Sequence, residues 1–325
     1  MELPCALWET IEQKAAQCPQ KVLTEAAEAI SLRYRKESGH GARLLTRDVE
    51  ALAYACARMP ATYGAVSTAL GHTLTLLEPF SLRSVLDIGA GTGAASWAAR
   101  ALLPHATDFT CLEREEAMSR LGRELMEGDE ILSQSRWLRQ DLSTAPVALH
   151  ADLVLESYCL NELSDSAREK TLLELWEAAD RLLLLIEPGT PVGFSQLRKA
   201  RELLLARGAH VAAPCPHEDA CPLPPSDWCQ FSCRIPRTRL QKTLKGGDAP
   251  YEDEKFSFLA LSKTPLDLPA ARILRHPGKS GGLISLKLCT GEGLREISVT
   301  KKQGALFKQA RKVQAGDSFP VNLLK

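Results

Sequence analysis

The pattern of apolar and polar positions changes character once along the chain. Up to about residue 78, apolar residues recur at three- and four-residue spacings, as in KVLTEAAEAISLRYRK (21–36) and RDVEALAYACARM (47–59), which predicts helices with one buried stripe. Pro60 in PATY (60–63) marks a helix start, where a missing N–H costs least. From Ser84 short apolar runs alternate with amphipathic stretches. SVLDIG (84–89), DFTCLE (108–113), RWLRQ (136–140), DLVLES (152–157) and RLLLLIE (181–187) read as strands, with helices near 94–103, 115–127, 165–179 and after 191. Such alternation predicts a doubly wound, mostly parallel α/β sheet, with FSFLALSK (256–263) as one more strand closing it. Beyond about 266, ISLKLC and REISVT stand between the turns GKSGG and TGEG and predict a small β module. The expected organisation is a helical region 1–78, a sheet domain 79–265 carrying a cysteine-containing segment 208–235, and a β module 266–325.

Composition changes this picture in two places. The 325 residues are 45% hydrophobic and 25% charged, ordinary for a soluble globular chain able to bury its own core. Forty Lys and Arg cancel forty Asp and Glu, but residues 265–325 hold eleven basic against four acidic residues, a net of +7. The β module is therefore basic. The N-terminus lacks a basic stretch followed by an apolar core, and no apolar run reaches 18 uncharged residues, so neither a signal peptide nor a membrane span is expected. A reducing compartment follows as the default, where clustered cysteines serve metals or catalysis more often than disulfides.

LDIGAGTGAAS (86–96) places Gly89, Gly91 and Gly93 between the first strand and a helix, a turn that lets a ligand approach the backbone and the helix N–H groups. On its own such a loop also fits a nicotinamide dinucleotide. Three acids narrow the choice: Asp87 before the loop, Glu113 at the end of the second strand and Asp141 after the third. In this combination the chain resembles the class I methyltransferases. The resemblance implies S-adenosylmethionine as cofactor, the glycine loop around its methionine part, the second-strand acid on the ribose and the third-strand acid at the adenine amine.

The fourth strand runs into ESYCLNEL (156–163), where Glu156, Asn161 and Glu162 could line the pocket, meet a substrate, or simply cap a helix. The Asn/Asp-Pro-Pro-aromatic tetrapeptide of enzymes that methylate exocyclic amines is absent, and Cys159 follows a tyrosine rather than the proline usual for a cytosine-attacking thiolate. The sequence supports cofactor binding better than it supports a reaction.

CPHEDACPLPPSDWC (215–229) brings Cys215, Cys221 and Cys229 into one Pro-rich stretch, with Cys233 just beyond and Cys289 in the basic module. Paired CxxC knuckles are missing, and spacing alone cannot choose between zinc and an iron–sulfur cluster. RMPATYGAV (58–66), DLVLESYCLNEL (152–163), APCPHEDACP (213–222), WCQF from Trp228 and YEDEKFSFLAL (251–261) together resemble one family: the methyltransferase-like assembly factors of the mitochondrial ribosomal small subunit and their bacterial relatives. The resemblance implies a [4Fe-4S] cluster on Cys215, Cys221, Cys229 and Cys289, with Cys233 and His217 as rival fourth ligands. It also implies the ribosomal small subunit and its RNA as partners, no membrane and no DNA, and a cytoplasmic or mitochondrial-matrix location. The basic module and the five cations of RIPRTRLQKTLK (234–245) are the expected phosphate-facing surfaces. Two functions remain open, an rRNA-binding assembly factor and an active rRNA methyltransferase acting on a base.

Overall fold

The structure is a computed structural model that describes residues 2–37, 45–77 and 82–320. The expected 78/79 boundary and Lys325 of the basic tail lie outside the described residues. Helices α1 (Cys5–Ala16), α2 (Gln20–Glu37), α3 (Asp48–Ala57) and α4 (Met59–Leu74) come first. Then follow β1 (Ser84–Ile88), α5 (Ala94–Leu102), β2 (Asp108–Glu113), α6 (Glu116–Met126), β3 (Arg136–Arg139), β4 (Ala151–Ser157), α7 (Asp165–Ala178), β5 (Ala179–Pro188) and α8 (Pro191–Leu205). The chain continues through β6 (His210–Ala213), β7 (Phe231–Pro236), α9 (Arg239–Lys245) and β8 (Tyr251–Ser262). It ends with β9 (Ala271–Ile273), β10 (Gly278–Ser280), β11 (Leu283–Thr290), β12 (Gly293–Thr300) and α10 (Ala305–Ala310).

Strands β1 to β5 are parallel in the order β3-β2-β1-β4-β5, so the chain reverses its direction of winding between β1 and β4. This is the doubly wound, Rossmann-like sheet expected from the alternation. Runs such as RLLLLIE carry apolar residues on consecutive positions because both faces are covered. Val85, Leu153, Leu184 and Phe258 face one side, with α4–α6 and the N-terminal helices; Leu86, Val154, Leu185 and Leu259 face the other, with α7 and α8. Local chemistry starts the helices where the pattern does: Ser164 accepts from the Ala167 N–H at α7, and Thr190, followed by Pro191, accepts from the Gly193 N–H at α8.

The far side of the sheet differs from expectation. The apolar run at 256–263 is the second half of a longer strand, β8, which pairs antiparallel with β5 over Phe256–Ser262. Its C-terminal end also pairs with β6, and its N-terminal half, Tyr251–Phe256, pairs with β7. The segment 208–235 is therefore bounded by strands, and the cysteine loop leaves the sheet after β6 and returns as β7. β9–β12 form a separate four-stranded antiparallel sheet that closes with α10 over its own apolar cluster, including Ile284, Leu286, Leu288, Val299 and Phe319. Among the described residues no helix is long and apolar enough to cross a membrane.

Candidate functional site

A cleft of ≈ 1090 Å³ opens at the carboxyl ends of β1, β2 and β4, the switch point of the sheet. The glycine loop forms one end of it. Gly89, Gly91 and Gly93 have φ of +63°, +57° and +86°, the left-handed region that glycine enters without penalty. A Cβ on Gly89 would stand 2.8 Å from Cβ of Cys159, so the loop packs directly on the segment after β4. Glu113 braces it: one carboxylate oxygen accepts from the Gly91 N–H at 2.7 Å and the other from the Glu115 N–H at 2.8 Å. Gly89, Gly91, Glu113, Asp141, Asn161 and Glu162 all line the cleft.

The remaining acids stand behind that lining. Asp87 is fully buried and caps α5, accepting from the Ser96 N–H at 3.0 Å and Ser96 Oγ at 2.7 Å, while its other oxygen has no partner. Burial pushes its carboxyl up to about 7. Glu156 accepts from the N–H groups of Cys159 and Leu160 at 2.8 and 3.0 Å, shaping the turn after β4, and burial pushes it up to about 7 as well. Next to it, at the end of β5, lies Glu187, which holds the Asn161 side-chain amide. Burial, reinforced by Glu156, raises Glu187 well above the carboxylate range. Glu162 is raised to about 7 by burial against the opposing pull of Arg114, whose Nη2 donates to it at 3.0 Å. Asp141 sits at the rim and receives Ser143 N–H and Oγ. Glu187 and Arg114 escaped sequence reasoning; a carboxylate closing the apolar run RLLLLIE was the available signal for the first.

Asp87 has a testable thermodynamic consequence. Its folded-state value of about 7 lies above the ordinary 3.8, so its contribution to stability is full below pH ~4 and is lost as pH rises through ~7. Asp87→Asn keeps an acceptor for Ser96 and removes that titration. Urea midpoints measured between pH 4.5 and 7.5 are expected to fall less steeply in the variant, by the equivalent of about one proton; parallel curves for the two proteins would refute this.

The second site is a cavity of ≈ 50 Å³ between the sheet and the basic module. Cys215, Cys221 and Cys229 from the loop and Cys289 from β11 line it together, with Arg201 of α8 and Arg272 of β9. Cys233 is elsewhere, packed against α4 with its Sγ 3.1 Å from where a Cβ on Gly64 would be. His217 remains adjacent, its Nε2 3.4 Å from Cys289 Sγ. Burial raises Cys215 and Cys229 above the ordinary thiol range and pushes Cys289 up to about 12. Both arginines are at least 96% buried, yet no carboxylate pairs with them among the described residues. Arg201 donates to the His217 carbonyl, Arg272 to the carbonyls of Pro214 and Gly316, and each keeps one unsatisfied N–H nitrogen. Among the described residues no group of three or more His, Cys, Asp or Glu is arranged to hold a metal ion. The junction is further tied by Asp227, which takes Arg275 and, at 3.0 Å, Lys287.

The cations divide into two kinds. In RIPRTRLQKTLK, Arg234 pairs with Asp253, and Arg237 and Lys245 share Glu252. Lys301, Lys302, Lys308, Arg311 and Lys312 are exposed, and no carboxylate pairs with them among the described residues. Three of the five cations in the first set are thus paired with carboxylates of β8, whereas the second set has no such pairing among the described residues.

The chain is 30% identical over 308 residues to the human ribosome assembly protein METTL17, mitochondrial, covering 88% of this chain and 66% of that protein. It is 27% identical over 360 residues to the Rsm22-cox11 tandem protein 2, mitochondrial, of Schizosaccharomyces pombe, covering 92% of this chain and 46% of that protein. It therefore spans about two thirds of the first relative and under half of the second. Solved structures with related architecture include the magnesium protoporphyrin IX methyltransferase of Synechocystis with bound SAH. That match has TM-score 0.41 and 16% identity, over 63% of this chain and 84% of that one. Another is the N-methyltransferase NodS of Bradyrhizobium japonicum, at TM-score 0.39 and 11% identity, over 61% and 84%. The profile of the mitochondrial small ribosomal subunit Rsm22 family matches residues 48–320, and the chain belongs to that family.

Proposed function

We propose that this chain is a small-subunit ribosome assembly factor of the methyltransferase fold. In this reading it binds S-adenosylmethionine at the glycine-loop end of the cleft and carries a [4Fe-4S] cluster on Cys215, Cys221, Cys229 and Cys289. Ribosomal RNA is met by the basic module. The helical region 1–78, the sheet 79–265 and the module 266–325 are its working parts, in a mitochondrial matrix or bacterial cytoplasm.

The observation that carries the proposal is the convergence of four cysteines, three from one loop and one from β11, on one cavity beside two buried arginines that have no directly paired carboxylate among the described residues. Neutral thiols would leave Arg201 without an ion-paired partner and Arg272 with only the field of Asp317, which is costly in a buried site. A [4Fe-4S] cluster held by four thiolates is a dianion in its usual state and balances them. The preference for a cluster over a single zinc rests on the family resemblance of the cysteine set. At the other site, the positive-φ glycines, the Glu113 brace and Asp141 at the rim suit an adenosyl ligand carrying a ribose and an amine.

Anaerobic purification with an absorption spectrum and iron, sulfide and zinc analysis tests the cluster, and calorimetry with S-adenosylmethionine tests the cleft. About four irons and four sulfides per chain are expected; one zinc, or no metal, would sink the cluster reading.

Methyl transfer to an rRNA base is the second reading, favoured by the room the cleft leaves beyond its glycine loop. Against it, Asn161 is tied to Glu187 and no amine-methylating tetrapeptide follows β4. Incubation of small-subunit RNA with radiolabelled S-adenosylmethionine is expected to give no incorporation.

RNA contact by the module has its own signature. Lys301→Ala with Lys302→Ala is expected to reduce the slope of log K against log salt for a single-stranded RNA by about 1.4, from about 0.7 per phosphate contact. An unchanged slope would move the RNA surface elsewhere.

A further inference from the structure

The cleft is larger than one ligand needs. Its ≈ 1090 Å³ exceeds the usual range of about 300–1,000 Å³ for a small-molecule site, and the glycine loop, Glu113 and Asp141 account for one end only. The other end is walled by Tyr54 of α3, Arg58 at the α3–α4 junction, Tyr158 after β4, and Arg237, Lys245 and Glu252 around α9.

Tyr158 is held in an unusual way. Its φ of +65° is the one positive value at a non-glycine residue among those described. Bulky residues persist in this region only where the surroundings over-determine them, as at ligand clamps. Its N–H donates to the Ile186 carbonyl at 2.8 Å, and its hydroxyl donates to Glu254 Oε1 at 3.3 Å. Glu254 also receives Arg58, Nη2 to Oε1 at 3.2 Å and Nη1 to Oε2 at 3.5 Å. Arg58 lines the cleft, and Glu254 orients its guanidinium. This network joins Arg58, Tyr158 and Glu254 from three segments far apart in sequence, and none of the three serves the glycine loop or the cysteine cavity.

An aromatic ring beside a guanidinium is suited to a nucleobase. The ring stacks on a base, and the guanidinium, oriented by Glu254, donates to its carbonyl and ring-nitrogen acceptors. An aromatic amino-acid side chain would use the ring and leave the charged pair without a role. We infer that the Tyr54–Arg58–Tyr158 end of the cleft, braced from behind by Glu254, is a nucleobase-binding site that takes one unstacked base of a single-stranded RNA segment. The inference rests on assigning the glycine-loop end to the adenosyl cofactor, which leaves this end to a second ligand. A base can be held there without being methylated.

The test is titration of the protein, saturated with S-adenosylhomocysteine, by GMP and by CMP, followed by calorimetry and saturation-transfer NMR. At least one nucleotide is expected to bind. Tyr158→Leu is expected to weaken it at least about tenfold, whereas Tyr158→Phe, which keeps the ring, stays within about threefold. Arg58→Gln is expected to change the preference between the two bases. S-adenosylhomocysteine affinity, measured alongside, separates the two ideas: nucleotide binding without it that is still lost in Tyr158→Leu keeps the base site and removes the cofactor assignment, whereas binding that Tyr158→Leu leaves unchanged removes the base site. Cofactor binding with no nucleotide bound at millimolar concentration overturns the base site. So does nucleotide binding that survives Tyr158→Leu unchanged, or binding of a tyrosine-containing peptide in place of either nucleotide. If Tyr158→Leu does not fold, Arg58→Gln decides, and an unaltered affinity and preference overturns the proposal.

Discussion

Cys289→Ser is expected to empty the cysteine cavity, taking iron and sulfide from about four each per chain to near zero. The variant should lose about 3–5 kcal/mol of unfolding free energy, because Arg201 and Arg272 would then stay buried with no directly paired anion. Cys289 lies on β11, paired with Arg272 on one side and Leu294 on the other, so the loss falls first on the docking of the basic module. Limited proteolysis should cut around residues 264–270 in the variant before it cuts within the sheet. Cys233→Ser, packed against α4 and away from the cavity, should load iron as wild type does. A Cys289→Ser protein with wild-type iron content would remove this residue from the ligand set and leave His217, 3.4 Å away, as the candidate.

Gly89→Ala is the largest single change expected at the cleft. A left-handed residue with a Cβ costs about 1–2 kcal/mol, and its collision with Cys159 at 2.8 Å adds overpacking of about 1–3 kcal/mol. The segment after β4 would have to move, carrying Asn161 and Glu162 with it. S-adenosylmethionine affinity should fall more than tenfold, while the iron content stays unchanged, since the two sites share no ligand. Gly128→Ala meets open space and provides the control, expected within about 0.5 kcal/mol of wild type. Equal cofactor affinity in Gly89→Ala and wild type would dissociate the glycine loop from cofactor binding.

The fold was legible where a local pattern decides it. Strand DFTCLE and the helices at 165–178 and 191–205 follow from their periodicity and from the caps Ser164 and Thr190, because the interactions that form them lie within a few residues. The insertion of β8 between β5 and β6, the strands β6 and β7 flanking the cysteine loop, and helix α10 depend on partners far along the chain and left no local trace. The candidate sites divide the same way. The glycine loop, Glu113 and Asp141 form a motif that sequence reading can find. Asp87 and Glu156 carry the right chemistry at the right place in sequence, but the structure turns them toward Ser96 and toward the turn after β4. Arg201, Arg272 and Tyr158 could not have been singled out, because an arginine's burial and a tyrosine's positive φ are set by tertiary packing alone.

The placement of β8 also bears on how the chain reaches this state. β5 and β6 are synthesised before it, yet they do not pair with each other in the final sheet; both pair with β8. That third of the sheet cannot close until residue 262 is available, and a premature pairing of β5 with β6 would have to be undone. Parallel strands with a late antiparallel insertion are pairings of high sequence separation, slow to form and exposed in the meantime. The open edges of β5 and β6 make the nascent chain the state in which this protein is most vulnerable to aggregation, and the one in which a chaperone has most to protect.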